Sequence, residues 1–340
     1  MKASMGDVDE GIIQCRMQDF ASRLTAWQRR HGRHDLPWQG TRDPYRIWLA
    51  EVMLQQTQVA AVIPYYERFL GRFADVGALA AASQEDVLRL WSGLGYYARG
   101  RNLHAAARAI VARGGFPTLH KGLAALPGVG RSTAAAIAVF AFGRRAAILD
   151  GNAKRVFARC FGVEGEKRQW ELAESLLPSR GIRTYTQALM DLGATVCTRS
   201  KPACERCPVA ARCLARLEDR IHELPRRRAR PPLPLRHAIW YVLLHRGQVL
   251  LERRPGAGLW GGLWTFPETR FPGAAKPRRL PPVEHGFTHF RLHAQPLLCA
   301  VRRATPRAEA PGRMWLDVAD AVDAAVPTPV RAVLKGLLAA

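Results

Sequence analysis

Apolar residues recur at intervals of three and four through "WLAEVMLQQTQVAAVIPYYERFL" (Trp48–Leu70) and "EDVLRLWSGLGYYARGRNLHAAARAIVA" (Glu85–Ala112). That spacing gives a helix one buried face, and it predicts a helical region from about Met17 to Leu217. Pro64, Gly93, Gly95, Pro117 and Pro127 punctuate it. The pattern changes after "LPRRRARPPLPLR" (Leu224–Arg236), whose prolines and arginines read as an extended linker. Beyond it, "HAIWYVLLHRGQVLLERR" holds two β-rich runs around "HRGQ", a hairpin signal. "HFRLHAQPLLCAVRR" is a further strand, and the residues from about Pro327 read as helix. The expected organisation is an N-terminal extension (1–16), a mainly α domain (17–222), a linker (223–235) and a smaller α+β domain (236–340). No internal repeat is evident.

Composition narrows the class. The chain has 340 residues, 48% of them hydrophobic and 23% charged, enough for ordinary cores in two or three domains. No apolar run is long enough to span a bilayer. "MKASMGDVDEGIIQC" carries acidic residues and no apolar stretch of the secretory type, so a cytoplasmic, monomeric protein without a membrane partner is expected. The formal net charge of +23 favours a polyanionic partner, nucleic acid above all. Arginine supplies all but seven of the 51 basic residues. Its planar fork suits phosphate, although a GC-rich genome would produce the same bias.

Cys15, Cys160 and Cys299 are scattered, but Cys197, Cys204, Cys207 and Cys213 fall within "CTRSKPACERCPVAARC" with the spacing C-x6-C-x2-C-x5-C. Four thiolates so placed can hold zinc or an iron–sulfur cluster. Zinc ribbons usually show two C-x-x-C pairs, and only one is present. The spacing resembles the cluster loop of the endonuclease III superfamily of DNA glycosylases, and that resemblance implies one [4Fe-4S] cluster of structural role.

Two more segments follow that superfamily in order. "LPGVGRSTAAAI" (Leu126–Ile137) resembles its helix-hairpin-helix, and "ILDGNAKRV" its aspartate segment. Gly128 and Gly130 let the backbone approach a ligand, and the N–H groups opening the next helix favour an anion such as a DNA phosphate. Taken alone, the turn is equally a tight connection between two packed helices. Superfamily members with lyase activity carry a lysine where this chain has Ser132, and a serine forms no Schiff base. The resemblance therefore implies a monofunctional glycosylase. Lys154, one helical turn after Asp150, is the amine that could still reach the site.

"WLAEVMLQQTQVAAVIPYYERF" and "LWSGLGYYARGRNLHAAA" are similar to the MutY-type adenine DNA glycosylase family, and the likeness continues into the C-terminal domain. It implies duplex DNA with adenine opposite 8-oxoguanine or guanine as the partner. Purine release needs one protonated and one ionised carboxyl group. By resemblance Glu51 protonates adenine, Asp150 stabilises the sugar cation and Asn152 orients them. Trp48, Leu49 and Val52 would desolvate Glu51 and raise its pKa. Without the resemblance Glu51 would pass as a solvent-facing helix residue and Asp150 as a helix cap. Gln56 and Tyr96 match positions that wedge into the base stack, with Gln55 and Leu54 beside them.

"RRPGAGLWGGLWTFPE" resembles a Nudix fold. Gly262 and Glu268 fit the first part of the Nudix box, but "TRFPGAAKPRRLPP" lacks its acidic run, so hydrolysis is not expected. By resemblance Phe287, Thr288 and His289 read 8-oxoguanine, with Thr288 where serine is commoner. The rivals are a glycosylase for thymine opposite guanine, an endonuclease III-type lyase, a non-catalytic DNA-binding or scaffolding protein, and a Nudix hydrolase.

Overall fold

Helices begin where the sequence supplies caps. Asp43 accepts a hydrogen bond from the Tyr45 N–H at 2.9 Å and Pro44 takes the first helical position. Asp150 accepts from the Ala153 N–H at 2.8 Å. Ser83 accepts from the Asp86 N–H at 3.0 Å. In this computed structural model residues 19–226, 231–256, 258–269, 275–301 and 312–339 are described. The expected N-terminal extension, 1–16, and part of the linker, 227–230, lie outside them. By contacts the chain divides into two compact units, one drawn from residues 1–59 and 109–229, the other from 60–108 and 230–340.

The first unit holds α1 (Phe20–His31) and α2 (Pro44–Leu54). Beyond the segment assigned to the second unit it continues with α7 (His120–Ala124), α8 (Arg131–Phe142), α9 (Gly151–Phe161), α10 (Glu166–Ser175), α11 (Ile182–Asp191) and α12 (Leu214–Leu217). Its core is built on Phe20, Phe157 and Phe161, with the Phe20 and Phe161 rings edge to face at 5.1 Å. α11 lies against α1, and α2 against α8. From Ile47 onward α2 is almost wholly apolar: Ile47, Trp48, Leu49, Ala50, Val52 and Met53 are all buried. Between α11 and the cysteine loop the backbone widens into a π-turn over Leu192–Val196, closed by the Cys197 N–H on the Leu192 carbonyl at 2.6 Å.

The second unit holds α3 (Val59–Arg72), α4 (Val76–Ala81), α5 (Gln84–Trp91) and α6 (Tyr97–Ala112), together with a seven-stranded mixed sheet. Pro64 sits inside α3 and does not end it. β1 (Leu235–His245) and β2 (Gln248–Arg253) form the hairpin signalled by "HRGQ", turning through Arg246 and Gly247, both at positive φ. β1 also pairs in parallel with β6 (Arg291–Ala300) along ten residue pairs. β3 (Trp264–Thr265) and β7 (Arg313–Asp317) pair with β2, while β4 (Arg278–Arg279) and β5 (Val283–Gly286) pair with β6. α13 (Val318–Asp323) and α14 (Thr328–Leu338) complete it.

The mainly α and α+β classes are as expected, but the compact units do not follow the sequence boundary. Residues 60–108 belong with the C-terminal sheet. Trp264 donates its indole N–H to Glu85 at 2.8 Å, and Arg101 donates to the Gly261 carbonyl at 2.8 Å. Helical periodicity says that α3–α6 exist, and nothing in it says which segment covers them. A chain ending at residue 230 is therefore expected to leave α3–α6 less protected from amide hydrogen exchange than in the full chain. α8–α11 should stay protected; equal protection of α3–α6 in both chains would contradict this grouping.

Candidate functional site

Glu51 is the one ionisable side chain in the apolar run Ile47–Leu54. It faces a cavity of about 560 Å³ that is also lined by Gln28, Trp38, Leu54, Arg183 and Gln187. Opening onto that cavity leaves the residue some accessible surface, while the apolar walls of α2 strip its carboxyl of water. Burial pushes the Glu51 carboxyl up to about 8, and the charge of Asp150 adds to the rise. Burial also raises Asp150, but the backbone N–H groups of Ala153 and Asn152 and the Arg155 guanidinium oppose it. The fold thus couples two carboxyls 99 positions apart and biases the proton toward Glu51.

Asp150 is a helix cap, as its sequence context suggests, and it is also the carboxyl that Glu51 senses. Asn152 follows it on the first turn of α9. Its Oδ1 accepts from Arg155 Nη2 at 2.8 Å, and the same nitrogen reaches the Gly193 carbonyl at 2.6 Å. Arg155 Nε donates to the Cys197 carbonyl at 2.7 Å. A Cβ built on Gly193 would come within 2.5 Å of the Asn152 Cβ, so the π-turn and α9 meet only because residue 193 has no side chain.

The hairpin runs from α7 through Gly128 (φ 75°) to Gly130, which caps α8 without a side-chain acceptor. No side chain therefore caps the first N–H groups of α8 from the Gly130 position. Gln55 Nε2 reaches the Gly128 carbonyl and Thr133 Oγ1, each at 3.2 Å, tying the end of α2 to this turn. The Ser132 hydroxyl accepts the Leu149 N–H at 2.9 Å, so it ties α8 to the segment that presents Asp150. Lys154 is paired with Glu166 of α10 at 3.2 Å. Both side chains of that pair are exposed, so it engages the amine at the surface.

Cys197, Cys204, Cys207 and Cys213 line one small cavity with apolar neighbours Leu192, Val196, Ala210 and Ile221. Among the described residues no three of them converge on a single-ion site. Thiols spread around a shared apolar cavity suit a cluster of several irons better than one zinc. Cys160 lines the same cavity, and its hydrogen bond draws the Cys213 thiol down, toward the thiolate a metal requires. Arg159 is buried and fixes the loop: it donates to the carbonyls of Thr198 (2.7 Å), Arg199 (3.1 Å) and Leu224 (2.9 Å), and to Cys197 Sγ at 3.5 Å. Neither Arg155 nor Arg159 stood out in the sequence. Their only signal is two arginines four apart on the helix that Asp150 opens.

Gln56 and Tyr96 are two of six non-glycine residues with positive φ among the described residues (56° and 49°), and both are exposed. In the second unit Phe287 closes the β5–β6 turn, its N–H on the Phe290 carbonyl at 2.8 Å and its ring stacked on Phe290 at 4.4 Å. Trp260 and His285 also touch Phe287, and Thr288 and His289 stand exposed above this aromatic base. Glu268 is paired with Arg254. Part of the segment that would carry a Nudix acidic run, residues 270–274, lies outside the described residues.

Residues missed in the sequence line the cavity beyond Glu51. The buried Asp191 carboxylate accepts from Arg33 Nε at 2.7 Å and from Gln187 at 2.9 Å. α1 and α11 bring these together across 158 positions, a distance over which no local pattern speaks.

Residues 49–178 match the HhH-GPD superfamily base excision DNA repair protein family, residues 197–213 the iron-sulfur binding domain of endonuclease III, and residues 238–336 the NUDIX domain. The adenine DNA glycosylase of Buchnera aphidicola subsp. Baizongia pistaciae is 31% identical over 335 residues, covering 93% of this chain and 95% of that protein. The chain belongs to the adenine DNA glycosylase family. The Homo sapiens adenine DNA glycosylase is 33% identical over 401 residues, covering 93% of this chain and 73% of that protein. A thermostable thymine-DNA glycosylase structure aligns with a TM-score of 0.56 and 30% identity, over 60% of this chain and 98% of that one. A non-covalent endonuclease III–DNA complex shares the fold, with a TM-score of 0.52 at 21% identity. The protein is thus an enzyme of base excision repair that hydrolyses an N-glycosidic bond, and its cysteine loop holds an iron–sulfur cluster. Among the described residues no helix is long and apolar enough to cross a membrane.

Two outcomes follow from the packing. Gly193→Ala should destabilise the fold by about 1–3 kcal/mol through overpacking against Asn152, read as a lower melting temperature. Glu51 ionises more readily in the unfolded chain than in the folded one, so its burial costs stability progressively as pH rises from 4.5 to about 8. Glu51→Gln should therefore gain melting temperature over wild type across that window, with no further gain above it.

Proposed function

We propose that the chain is a monofunctional glycosylase that removes adenine paired with 8-oxoguanine or guanine in double-stranded DNA. The observation that carries this reading is a carboxyl, Glu51, held protonated near neutral pH beside a second carboxyl with hydrogen bonds for its ionised form. Glu51 gives its proton to N7 of the extruded adenine. The C1′–N9 bond breaks with its electron pair going to the base, and ionised Asp150 stabilises the cation left on the sugar. Water adds at C1′ and its proton returns to Glu51, leaving an abasic site. Asn152, fixed by Arg155, holds Asp150 and water in register. The cluster needs no part in these steps; Cys197, Cys204, Cys207 and Cys213 hold it, and it stabilises the loop that Arg155 and Arg159 grip.

Adenine must leave the duplex to reach Glu51, at roughly a few kcal/mol. Gln56 and Tyr96 are suited to fill the gap, because exposed side chains on left-handed backbone are the kind of strain found at functional sites. Gly128, Gly130 and the opening N–H groups of α8 take a phosphate, with Gln55 and Ser132 bracing the turn. Phe287, Thr288 and His289 read the opposite base. A second reading, thymine opposite guanine, is raised by the thymine-DNA glycosylase likeness, which covers only 60% of this chain. The adenine glycosylases match across 93%, sheet included.

Base release from four duplexes tests the substrate: adenine opposite 8-oxoguanine, adenine opposite guanine, cytosine opposite 8-oxoguanine and thymine opposite guanine. The first two should react, and release of thymine alone would overturn the assignment. Glu51→Gln should lower single-turnover release by roughly 10²–10⁴-fold while keeping duplex binding. In wild type the rate should fall as pH rises through about 8, where Glu51 loses its proton. Strand cleavage should wait for added alkali. Ser132→Lys should gain lyase activity but release base more slowly, since Leu149 loses its hydrogen-bond acceptor.

A further inference from the structure

The turn between α5 and α6 presents Tyr96, and it is strained. Gly93, Gly95 and Tyr96 all have positive φ (103°, 78° and 49°). Its own neighbours hold one side: Trp91 donates its indole N–H to the Gly95 carbonyl at 3.0 Å, and the Arg99 guanidinium lies over both the Trp91 and Tyr96 rings, 5.4 Å from each centroid. Tyr65 donates to the Ser92 carbonyl at 3.1 Å, and a Cβ on Gly93 would collide with that phenol oxygen at 2.2 Å.

The other side is held from the far end of the chain, within the same compact unit. The buried Ser92 hydroxyl donates to the Val326 carbonyl at 2.6 Å and accepts from Arg331 Nη2 at 2.9 Å. Arg331 also donates to the Ala324 carbonyl at 3.1 Å, so one guanidinium fastens Ser92 to the turn leading into α14. α14 carries Arg331 and touches β5, the strand that runs into Phe287, Thr288 and His289. A continuous set of contacts therefore joins the loop that reads the opposite base to the turn that presents Tyr96.

We propose that Ser92 and Arg331 form a latch through which the C-terminal domain positions the Tyr96 wedge. This rests on reading Tyr96 as the side chain that enters the base stack. The strained turn would relax if left alone, and the latch opposes that relaxation only when the C-terminal segment is seated. Ser92 and Arg331 touch neither adenine nor sugar in this account; they act through Tyr96 as positioning residues. Spatial continuity alone does not establish such coupling, so the test must measure it.

The test uses full-length, cluster-loaded protein in single-turnover release of adenine opposite 8-oxoguanine. A 2-aminopurine placed next to the lesion reports unstacking. Tyr96→Ala should slow release and reduce the fluorescence rise. Ser92→Ala and Arg331→Met should each slow release about three- to tenfold, the worth of one or two buried hydrogen bonds, and reduce the same signal. Added to Tyr96→Ala, neither should slow release further, because the group they position is gone. Iron content and melting temperature identify any variant that fails to fold, and Ser92→Ala, a smaller change, then carries the comparison. Additive losses in the double variants would overturn the latch, as would normal rates in Ser92→Ala beside an impaired Tyr96→Ala. A Tyr96→Ala enzyme with the wild-type rate and signal would overturn the wedge reading itself.

Discussion

A carboxyl group taken out of water keeps its proton, and the proposed chemistry of this protein depends on holding that proton more firmly at Glu51 than at its neighbour Asp150. The means is a helix that is buried on both sides of the acid. α2 buries all six residues that flank Glu51 from Ile47 to Met53, so the carboxyl has apolar walls and one opening. Burial raises Asp150 as well, but there the rise is opposed. It sits at the start of α9, where backbone N–H groups meet whatever negative charge it carries. In the proposed function, two groups of one chemical type take different tasks because one lies in a helix interior and the other at a helix end. The hairpin, the π-turn and the cysteine loop hold those two helices in place.

Much of this was legible in the sequence. The C-x6-C-x2-C-x5-C spacing and the hairpin glycines are local features, whereas Glu51 and Asp150 are far apart in the chain and only resemblance paired them. Helix existence followed from periodicity, and the β1–β2 hairpin from its two-residue turn. What escaped was long-range. The parallel pairing of β1 with β6, the union of residues 60–108 with the C-terminal sheet, and the Arg33–Asp191 pair all join distant positions. Lys154 is of the same kind: its spacing from Asp150 is local, but its ion pair with Glu166 on the next helix is not read from that spacing.

Two of the six strained non-glycine positions among the described residues fall where contact with DNA is proposed. Gln56 and Tyr96 adopt backbone conformations that cost side-chain-bearing residues of order 1–3 kcal/mol. The surroundings enforce each one. Gln55 is bonded into the hairpin immediately before Gln56, and the Tyr96 turn is gripped by Trp91, Tyr65 and Ser92. A residue held this way arrives at the duplex already shaped, and little ordering is left for the encounter.

Arg159 carries a consequence for how the basic composition should be understood. Its guanidinium is spent on three carbonyls and a sulfur, a task no lysine could perform from one point charge. Arg155 and Arg183 likewise donate to part-buried backbone carbonyls. The formal charge of +23 therefore counts many cations that act as backbone clamps. Counterions released from DNA report only the arginines that meet phosphate, so the number of ions exchanged on binding is smaller than the composition implies, and an arginine-rich sequence here encodes internal architecture as much as attraction to the duplex.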